Sequence, residues 1–525
     1  MNMPRLRLVS ALKGLIGLGF LGYVTARIFT LDITGDEFPY PFPLSDIFSL
    51  KNIEEQLQPL IYMLSTISKS IFSWDVVTEV RLPCIPIFVF YALAAARLTR
   101  RIRPAWLELL AFTAFLTNPF ALDFFSIQRG YGLAMLFILS SAVFAVEMIT
   151  GPAEKRANRA AWAVWLGSFA VVGNLASLHY YLSICAFLVL ATIDWGLIRR
   201  EWQRPSTWWT IVRTVWAKNL VVFANAAILG VFWLPRIILL VKGKELYSGG
   251  ETGFIHDTVG SLVAGSMYDI AAPAFHDIRA PNGITLALAA GLTLASLFVS
   301  VHAMWRRRSS PAFMATAVVS ALLLLMVGSI NAQHYLAGVR FIWERGALTL
   351  LPLFVAQIVL YAHALTPPIA RAPVVAFLAA YVLLFPLNAN MTHTWGWRQM
   401  SQTRKLLREL TTLHNDLKRP IIVGVSDATK PKIDYYKEQM RIDWLQWYPI
   451  DMYFRFNGQY QIHPETDFFY IWNQHGFPEG LKGLPLEPVP GADFSGASSG
   501  LYQIRDRAAL RAMVGQPDSG PAVAP

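Results

Sequence analysis

About eleven apolar segments, each near the roughly 20 residues a helix needs to cross a bilayer, govern what this chain can fold into. They run over 10–30, 77–98, 105–122, 131–149, 160–174, 178–198, 219–240, 284–305, 312–330, 347–365 and 373–391. The fifth is short and abuts the sixth almost without a linker, so the pair reads as two spans or as one broken helix with a re-entrant end. Composition agrees with a bilayer as solvent: 54% of the residues are hydrophobic and 15% charged, against roughly 25% charged in soluble chains. The N-terminal apolar run, flanked by Arg5, Arg7 and Lys13, lacks a small-x-small cleavage site and reads as a retained first span. The expected fold class is a mainly α, polytopic membrane protein.

Charge sets the orientation. The net charge is +11, but the basic residues sit between apolar segments and form no polybasic domain, which argues against nucleic acid as a partner. Arg97, Arg100, Arg101 and Arg103 fill one connection, and Lys155, Arg156 and Arg159 another. Arg199, Arg200, Arg204 and Arg213 fill the next, and Arg306, Arg307 and Arg308 the last of the series. These are alternate loops, and the positive-inside rule places them and the N-terminus in the cytoplasm. Loops 31–76, 123–130, 174–178, 241–283 and 331–346 then face outward, as does everything from about 392.

Residues 1–391 are therefore expected to form a membrane domain whose long outer loop, 31–76, carries helices lying along the interface. Residues 392–513 change in character. An amphipathic helix over 400–418, strands at 420–425 and 467–472 and a helix at 430–440 predict a small α/β extracytoplasmic domain. Residues 514–525, rich in Pro, Gly and Ala, read as a disordered tail. The two cysteines, Cys84 and Cys185, lie in apolar segments and suggest no disulfide framework.

The polar motifs of the membrane half fall on one side. Thr34-Gly35-Asp36-Glu37 emerges just past the first span, and a shielded carboxylate there can act as general base; the bland alternative is a solvated loop. Arg129, in Ser126-Ile-Gln-Arg-Gly-Tyr131, can pair with a lipid phosphate or snorkel to ordinary headgroups. His179 and Tyr180 open the sixth span, as an aromatic belt or as cavity residues. Arg340 and Arg345 flank Glu344 and can hold a phosphate or diphosphate, unless Arg340 and Glu344 merely pair at helical spacing. His256-Asp257 and His276-Asp277 in the 241–283 loop match no fixed metal spacing, and a mobile substrate loop is the preferred reading. No phosphate-binding glycine loop or dinucleotide fingerprint occurs.

In order along the chain, these stretches resemble the GT-C superfamily of polytopic glycosyltransferases, particularly bacterial members akin to the protein O-mannosyltransferase and lipid A aminoarabinose transferase group. Gly35-Asp36-Glu37 is similar to the first-loop Asp-Glu motif, and Gln58-Pro59-Leu60-Ile61-Tyr62 to a Pro-Pro-Leu-Tyr-Tyr stretch. Arg129-Gly-Tyr131-Gly-Leu133, Leu178-His179-Tyr180 and Glu344-Arg345-Gly-Ala-Leu348 resemble later span entries, and Trp397-Arg398 and Tyr435-Tyr436 match as well. Gln58, Ile61 and Ser177 depart from the usual Pro, Tyr and Thr.

The resemblance implies an inverting transferase of a bacterial inner membrane, with a polyprenyl-phosphate-linked sugar as donor and an extracytoplasmic glycolipid, glycan or protein as acceptor. By the same carry-over Asp36 is the base, with Glu37 supporting it or binding a divalent cation; no metal ligand set is assigned. Arg129, Arg340 and Arg345 would neutralise the leaving phosphate, and Tyr62, Tyr131, His179, Tyr180 and Glu344 would line the substrate cavity. The competing class is a lipid-linked-sugar flippase or other secondary transporter, against which stand the missing internal repeat and the one-sided placement of ionisable residues.

Overall fold

The computed structural model describes residues 3–32, 34, 37, 58–72, 74, 76–193, 205–243, 249–267, 283–394, 401–425, 429–449, 465–472, 486–490, 492, 494, 499–506 and 508. Asp36, His276-Asp277, Trp397-Arg398 and the tail lie outside them. The chain divides into two compact units. One comprises Met1–Ile28 and Tyr40–Ala389, the other Phe29–Pro39 and Asn390–Pro525.

The first unit is helical. Its elements are α1 (Met3–Thr30), α2 (Pro59–Ile71), α3 (Val76–Arg81), α4 (Cys84–Thr99), α5 (Ala105–Leu116), α6 (Pro119–Phe124) and α7 (Gly130–Thr150). There follow α8 (Arg156–Gly173), α9 (Leu178–Thr192), α10 (Pro205–Lys218), α11 (Leu220–Gly243), α12 (Gly260–Ser266), α13 (Gly283–Arg306), α14 (Pro311–Ala337), α15 (Leu351–Ala364) and α16 (Pro368–Asn388). Among the described residues, nine helices are long and apolar enough to cross a membrane. The chain thus forms a polytopic α-helical membrane protein.

Two of the eleven expected spans fall short of that criterion, for identifiable reasons. The segment expected at 105–122 breaks at Thr117-Asn118, where Asn118 caps α6 by accepting the Ala121 amide at 2.9 Å and Pro119 occupies the first turn. The segment expected at 160–174 is α8, whose first turns carry Arg156 and Arg159 and so lower its hydropathy. Sequence left open whether 160–174 and 178–198 formed one broken helix. They are separate helices: Asn174 has extended geometry (φ −161°, ψ 126°), and its side chain accepts the Ala176 amide at 2.9 Å, which stops α8 before α9 starts. Helix α14 ends at Gly338, whose left-handed φ of 66° terminates it at no steric cost.

The basic loop residues find acids at one end of the bundle. Arg97 donates twice to Glu147, at 2.8 and 2.6 Å, and Arg101 lies 3.3 Å from the same carboxylate. Lys13 pairs with Glu108 at 2.6 Å. In α2, Pro59, Ile61, Tyr62, Ser65 and Ser68 are buried, while Ile67 and Ile71 are exposed. Apolar side chains left outward suit a helix lying in the headgroup boundary.

The second unit contains α17 (Thr403–Leu417), β1 (Ile421–Val425), α18 (Lys430–Met440), β2 (Leu445–Pro449), β3 (Phe468–Trp472), β4 (Leu486–Pro488) and β5 (Ser499–Ile504). The sheet order is β2-β1-β3-β5-β4; β1 pairs in parallel with β2 and β3, whereas β5 runs antiparallel to β3 and β4. Leu406, Leu407 and Leu410 bury one face of α17, as their spacing requires.

Asp467 staples the parallel pair. Its carboxylate accepts Arg419 at 3.0 and 2.7 Å and the Ile422 amide at 2.9 Å. Replacing Asp467 with alanine is expected to weaken this unit by about 1.5–3 kcal/mol, since a buried charged acceptor is lost. Amide exchange of β1 in the full-length protein should quicken accordingly; unchanged protection would show that the staple is dispensable.

Candidate functional site

In the membrane unit, three of the motifs singled out from sequence meet around Tyr131. The first is the start of α2. Gln58, standing where the resembling motif has proline, accepts the Gly130 amide on its Oε1 at 2.6 Å and so ties the first-loop helix to the start of α7. Gly130 cannot be replaced there, because a Cβ would stand 1.9 Å from the Gly173 carbonyl oxygen. Close backbone approach is therefore what glycine supplies at this point.

Arg129 precedes α7 in extended geometry (φ −140°, ψ 140°) and is 9% exposed, so its side chain is set by neighbours and not by helix rotamers. Tyr131, equally buried, has Asn174 within side-chain hydrogen-bonding reach, and Arg129, Glu344 and Tyr62 within electrostatic reach. Tyr62 is itself buried at 4% exposure. Glu344 adopts a left-handed φ of 47° at the first residue of the 3-10 helix Glu344–Leu350. A non-glycine residue in that region costs about 1–3 kcal/mol and persists only where its surroundings hold it. Arg345 follows directly and is half-buried.

Arg340 is placed differently from the sequence reading. Pairing with Glu344 at helical spacing needs a helix, but the stretch before Glu344 is extended. Phe341 and Gly250 exchange both backbone hydrogen bonds, at 3.1 and 2.9 Å, and across that bridge Arg340 pairs with Glu251. The 241–283 loop thereby reaches the mouth of the tenth predicted span.

His179 is 9% exposed, with Nδ1 3.3 Å from the Ser329 hydroxyl. Tyr180 is fully buried between helices, its hydroxyl donating to Ser141 at 2.8 Å. His256 bonds Asp257 at 2.7 Å, but Asp257 also accepts the Thr252 and Gly253 amides at 2.8 and 2.9 Å. That pair shapes a turn. Among the described residues, no three His, Cys, Asp or Glu side chains gather as metal ligands.

An apolar cavity of about 390 Å³ is lined by Phe254, Leu262, Leu292, Val327, Leu351 and Tyr381 among others. Its walls come from residues between Phe254 and Met267 and from α13–α16, and they include Leu350 at the end of the 3-10 helix that starts at Glu344.

The first-loop carboxylates belong to the second unit. Glu37 is 5% exposed; its carboxylate accepts the Thr34 amide at 2.8 Å while its own amide donates to the Thr34 carbonyl at 3.2 Å. Asp32 accepts the Arg404 amide at 3.1 Å and ion-pairs with the Arg404 guanidinium.

Sequence reasoning passed over Asp32, Asn174, Lys432 and the buried pair of Arg27 with Asp123, 2.5 Å apart and almost without exposure. For Arg27 and Asp123 the available signal was an ionisable residue within an apolar span.

No family model matches the chain, and no curated protein matches it. Among solved structures it is similar to the archaeal oligosaccharyltransferase AglB from Archaeoglobus fulgidus in complex with an inhibitory peptide and a dolichol-phosphate. That likeness has 10% identity, a TM-score of 0.39, and covers 89% of this chain and 69% of that one. It is also similar to ArnT from Cupriavidus metallidurans bound to undecaprenyl phosphate, with 12% identity and a TM-score of 0.35 over 99% of this chain and 100% of that one. At such scores the likeness decides no residue's role.

Proposed function

We propose that the protein is an inverting membrane glycosyltransferase of the GT-C type, acting on a polyprenyl-phosphate-linked sugar outside the cytoplasm of a bacterial inner membrane. The reading is supported above all by the gathering of Arg129, Tyr62 and Glu344 around Tyr131, from motifs far apart in sequence. A cation set beside aromatic hydroxyls, in a unit that also holds an apolar cavity, suits an amphiphile with an anionic head and a hydrocarbon tail.

In the proposed reaction Asp36 takes the proton of the acceptor hydroxyl as its oxygen attacks the anomeric carbon. The new carbon–oxygen bond forms on the face opposite the phosphate, and the old bond breaks with its electron pair leaving on the polyprenyl phosphate. Inversion follows from that single displacement. Negative charge grows on the phosphate as the bond breaks, and Arg129, Arg345 and Arg340 stabilise it there. Arg340 would exchange Glu251 for the phosphate. Glu37 supports Asp36 or takes a divalent cation. Tyr62, Tyr131, His179 and Glu344 line the donor site.

The donor half of this reading is testable without knowing the sugar. Purified protein in lipid nanodiscs should retain undecaprenyl phosphate in native mass spectrometry. Arg129→Ala should weaken that binding about 10–100-fold, the worth of one charge-assisted contact. Equal retention by wild type and variant would remove Arg129 from the donor site.

A further inference from the structure

At the end of the bundle that the positive-inside rule assigns to the cytoplasm, three arginines converge on one carboxylate. Arg97, in the last turn of α4, spends Nε and Nη2 on Glu147 near the end of α7, at 2.8 and 2.6 Å. Arg101 has Nη2 3.3 Å from the same carboxylate and donates from Nη1 to the Thr150 hydroxyl at 2.7 Å. Arg159, near the start of α8, has Nε 3.9 Å from Glu147 and donates from Nη1 to its backbone carbonyl at 2.8 Å. Gly151 makes room for that guanidinium, since a Cβ there would stand 2.0 Å from Arg159 Nη1.

Capping the C-terminus of α7 accounts for part of this cluster. It does not account for the charge. Among the described residues no second acid pairs with any of the three arginines, so they keep a surplus of two positive charges. Their side chains are 50%, 33% and 18% exposed for Arg97, Arg101 and Arg159, which leaves them within reach of the surface. Arg97 Nη1 makes no hydrogen bond among the described residues and keeps donors for another acceptor.

A groove of about 550 Å³ leads away from Arg97. One wall is the α4 face with Pro86, Phe90 and Leu93, and the other is the α7 face with Leu136, Ser140 and Val143. Phe90 and Leu93 are exposed, so the groove opens to the lipid side. From Pro86 to Arg97 the helix rises about 16 Å at 1.5 Å per residue, the depth of one leaflet in a hydrocarbon core of roughly 30 Å. Phe144 stands at the charged end. The Arg97 guanidinium lies 4.5 Å over its ring, and the ring stacks on the exposed Trp162 at 6.1 Å. Arg97 is thereby held at the groove mouth, and the tryptophan marks the headgroup level there.

We propose that this groove and its arginines bind an anionic phospholipid of the cytoplasmic leaflet, with the phosphate on Arg97 and Arg101 and one acyl chain between α4 and α7. Charge complementarity selects the occupant. A zwitterionic lipid brings no net charge to set against the surplus, and a free phosphate has no chain to fill the groove. The site is at the opposite end of α7 from Tyr131 and stands independently of the transferase reading.

Native mass spectrometry of the full-length protein in detergent, titrated with phosphatidylglycerol or with phosphatidylcholine of the same acyl chains, tests it. Wild type should hold one phosphatidylglycerol about tenfold more tightly than phosphatidylcholine, the worth of one charge-assisted contact, and inorganic phosphate should not displace it. Arg97→Gln should abolish that preference; if this variant fails to fold, Arg101→Gln takes its place. Ser140→Phe fills the groove and leaves the three arginines on Glu147, and it should weaken phosphatidylglycerol binding about tenfold as well. Arg156→Gln, an exposed arginine of the same end, should bind as wild type does.

Equal binding of the two lipids by wild type would overturn the inference, as would undiminished phosphatidylglycerol binding in Ser140→Phe. Displacement by inorganic phosphate would contradict it by showing an anion site that ignores the chain. Arg156→Gln as harmful as Arg97→Gln would do so by showing attraction to surface charge in general. None of these readouts involves sugar transfer, so they leave the transferase reading to its own tests.

Discussion

Asp123→Ala is expected to cost the membrane unit about 3–5 kcal/mol, the range for breaking one side of a buried ion pair. Arg27 and Asp123 are 1% and 0% exposed at their side chains, and their closest atoms are 2.5 Å apart. Tyr23 accepts a further bond from the guanidinium at 3.0 Å. Removing the carboxylate takes away the Asp123 charge that the buried guanidinium pairs with. Intrinsic fluorescence melts of purified protein should show a large fall in midpoint, or no folded protein at all. Replacing both residues by leucine or methionine should recover most of that loss, because the desolvation of two charges is removed along with their attraction. A double variant no more stable than Asp123→Ala would show that the pair is needed for more than charge balance.

Asp36→Asn is expected to lower transfer about 10²–10⁴-fold, the usual contribution of a general base, with folding unaffected. Asparagine keeps the shape and loses the proton acceptor. Undecaprenyl phosphate binding should survive in this variant, which separates it from Arg129→Ala. Glu37→Gln is expected to differ in kind. The Glu37 carboxylate accepts the Thr34 amide at 2.8 Å, a bond the amide oxygen of glutamine can keep. Its loss of charge should therefore reach catalysis indirectly, with a smaller fall in rate than Asp36→Asn.

Much of the membrane unit was legible because hydropathy is summed over whole helices, and a mistake at one residue does not move a span. The split at Asn118 and the reversal at Asn174 were not legible in this way. Each depends on one side chain bonding a backbone amide two or three residues on, a local choice that a sliding window averages away. In the C-terminal unit, α17, β1, α18 and β3 followed their periodicity, whereas β2, β4 and β5 did not announce themselves. Leu486–Pro488 is three residues long, and Leu445–Pro449 mixes glutamine and tryptophan; their strand character comes from the neighbours they pair with.

The candidate site was legible to the extent that its members sit in short motifs. Arg129, Tyr131 and Glu344 could be named from sequence, but their meeting around Tyr131 could not. Nor could the partners of His179 and Tyr180 be named: adjacent positions on a helix face directions about 100° apart, and the two side chains bond Ser329 and Ser141 respectively. Lys432 was invisible for a third reason. A lysine in a polar helix reads as solvated, and only tertiary packing buries it.

The central claim is that the carboxylates after the first span transfer a sugar to an acceptor outside the cytoplasm. Mass spectrometry of envelope glycans and glycolipids tests it most directly, comparing a host expressing wild type with one expressing Asp36→Asn at matched membrane levels. The account predicts that one species loses one sugar in the variant, which identifies donor sugar and acceptor together. Identical envelopes at equal expression would contradict it, removing Asp36 from catalysis and leaving a transporter or a non-catalytic partner as the reading to pursue.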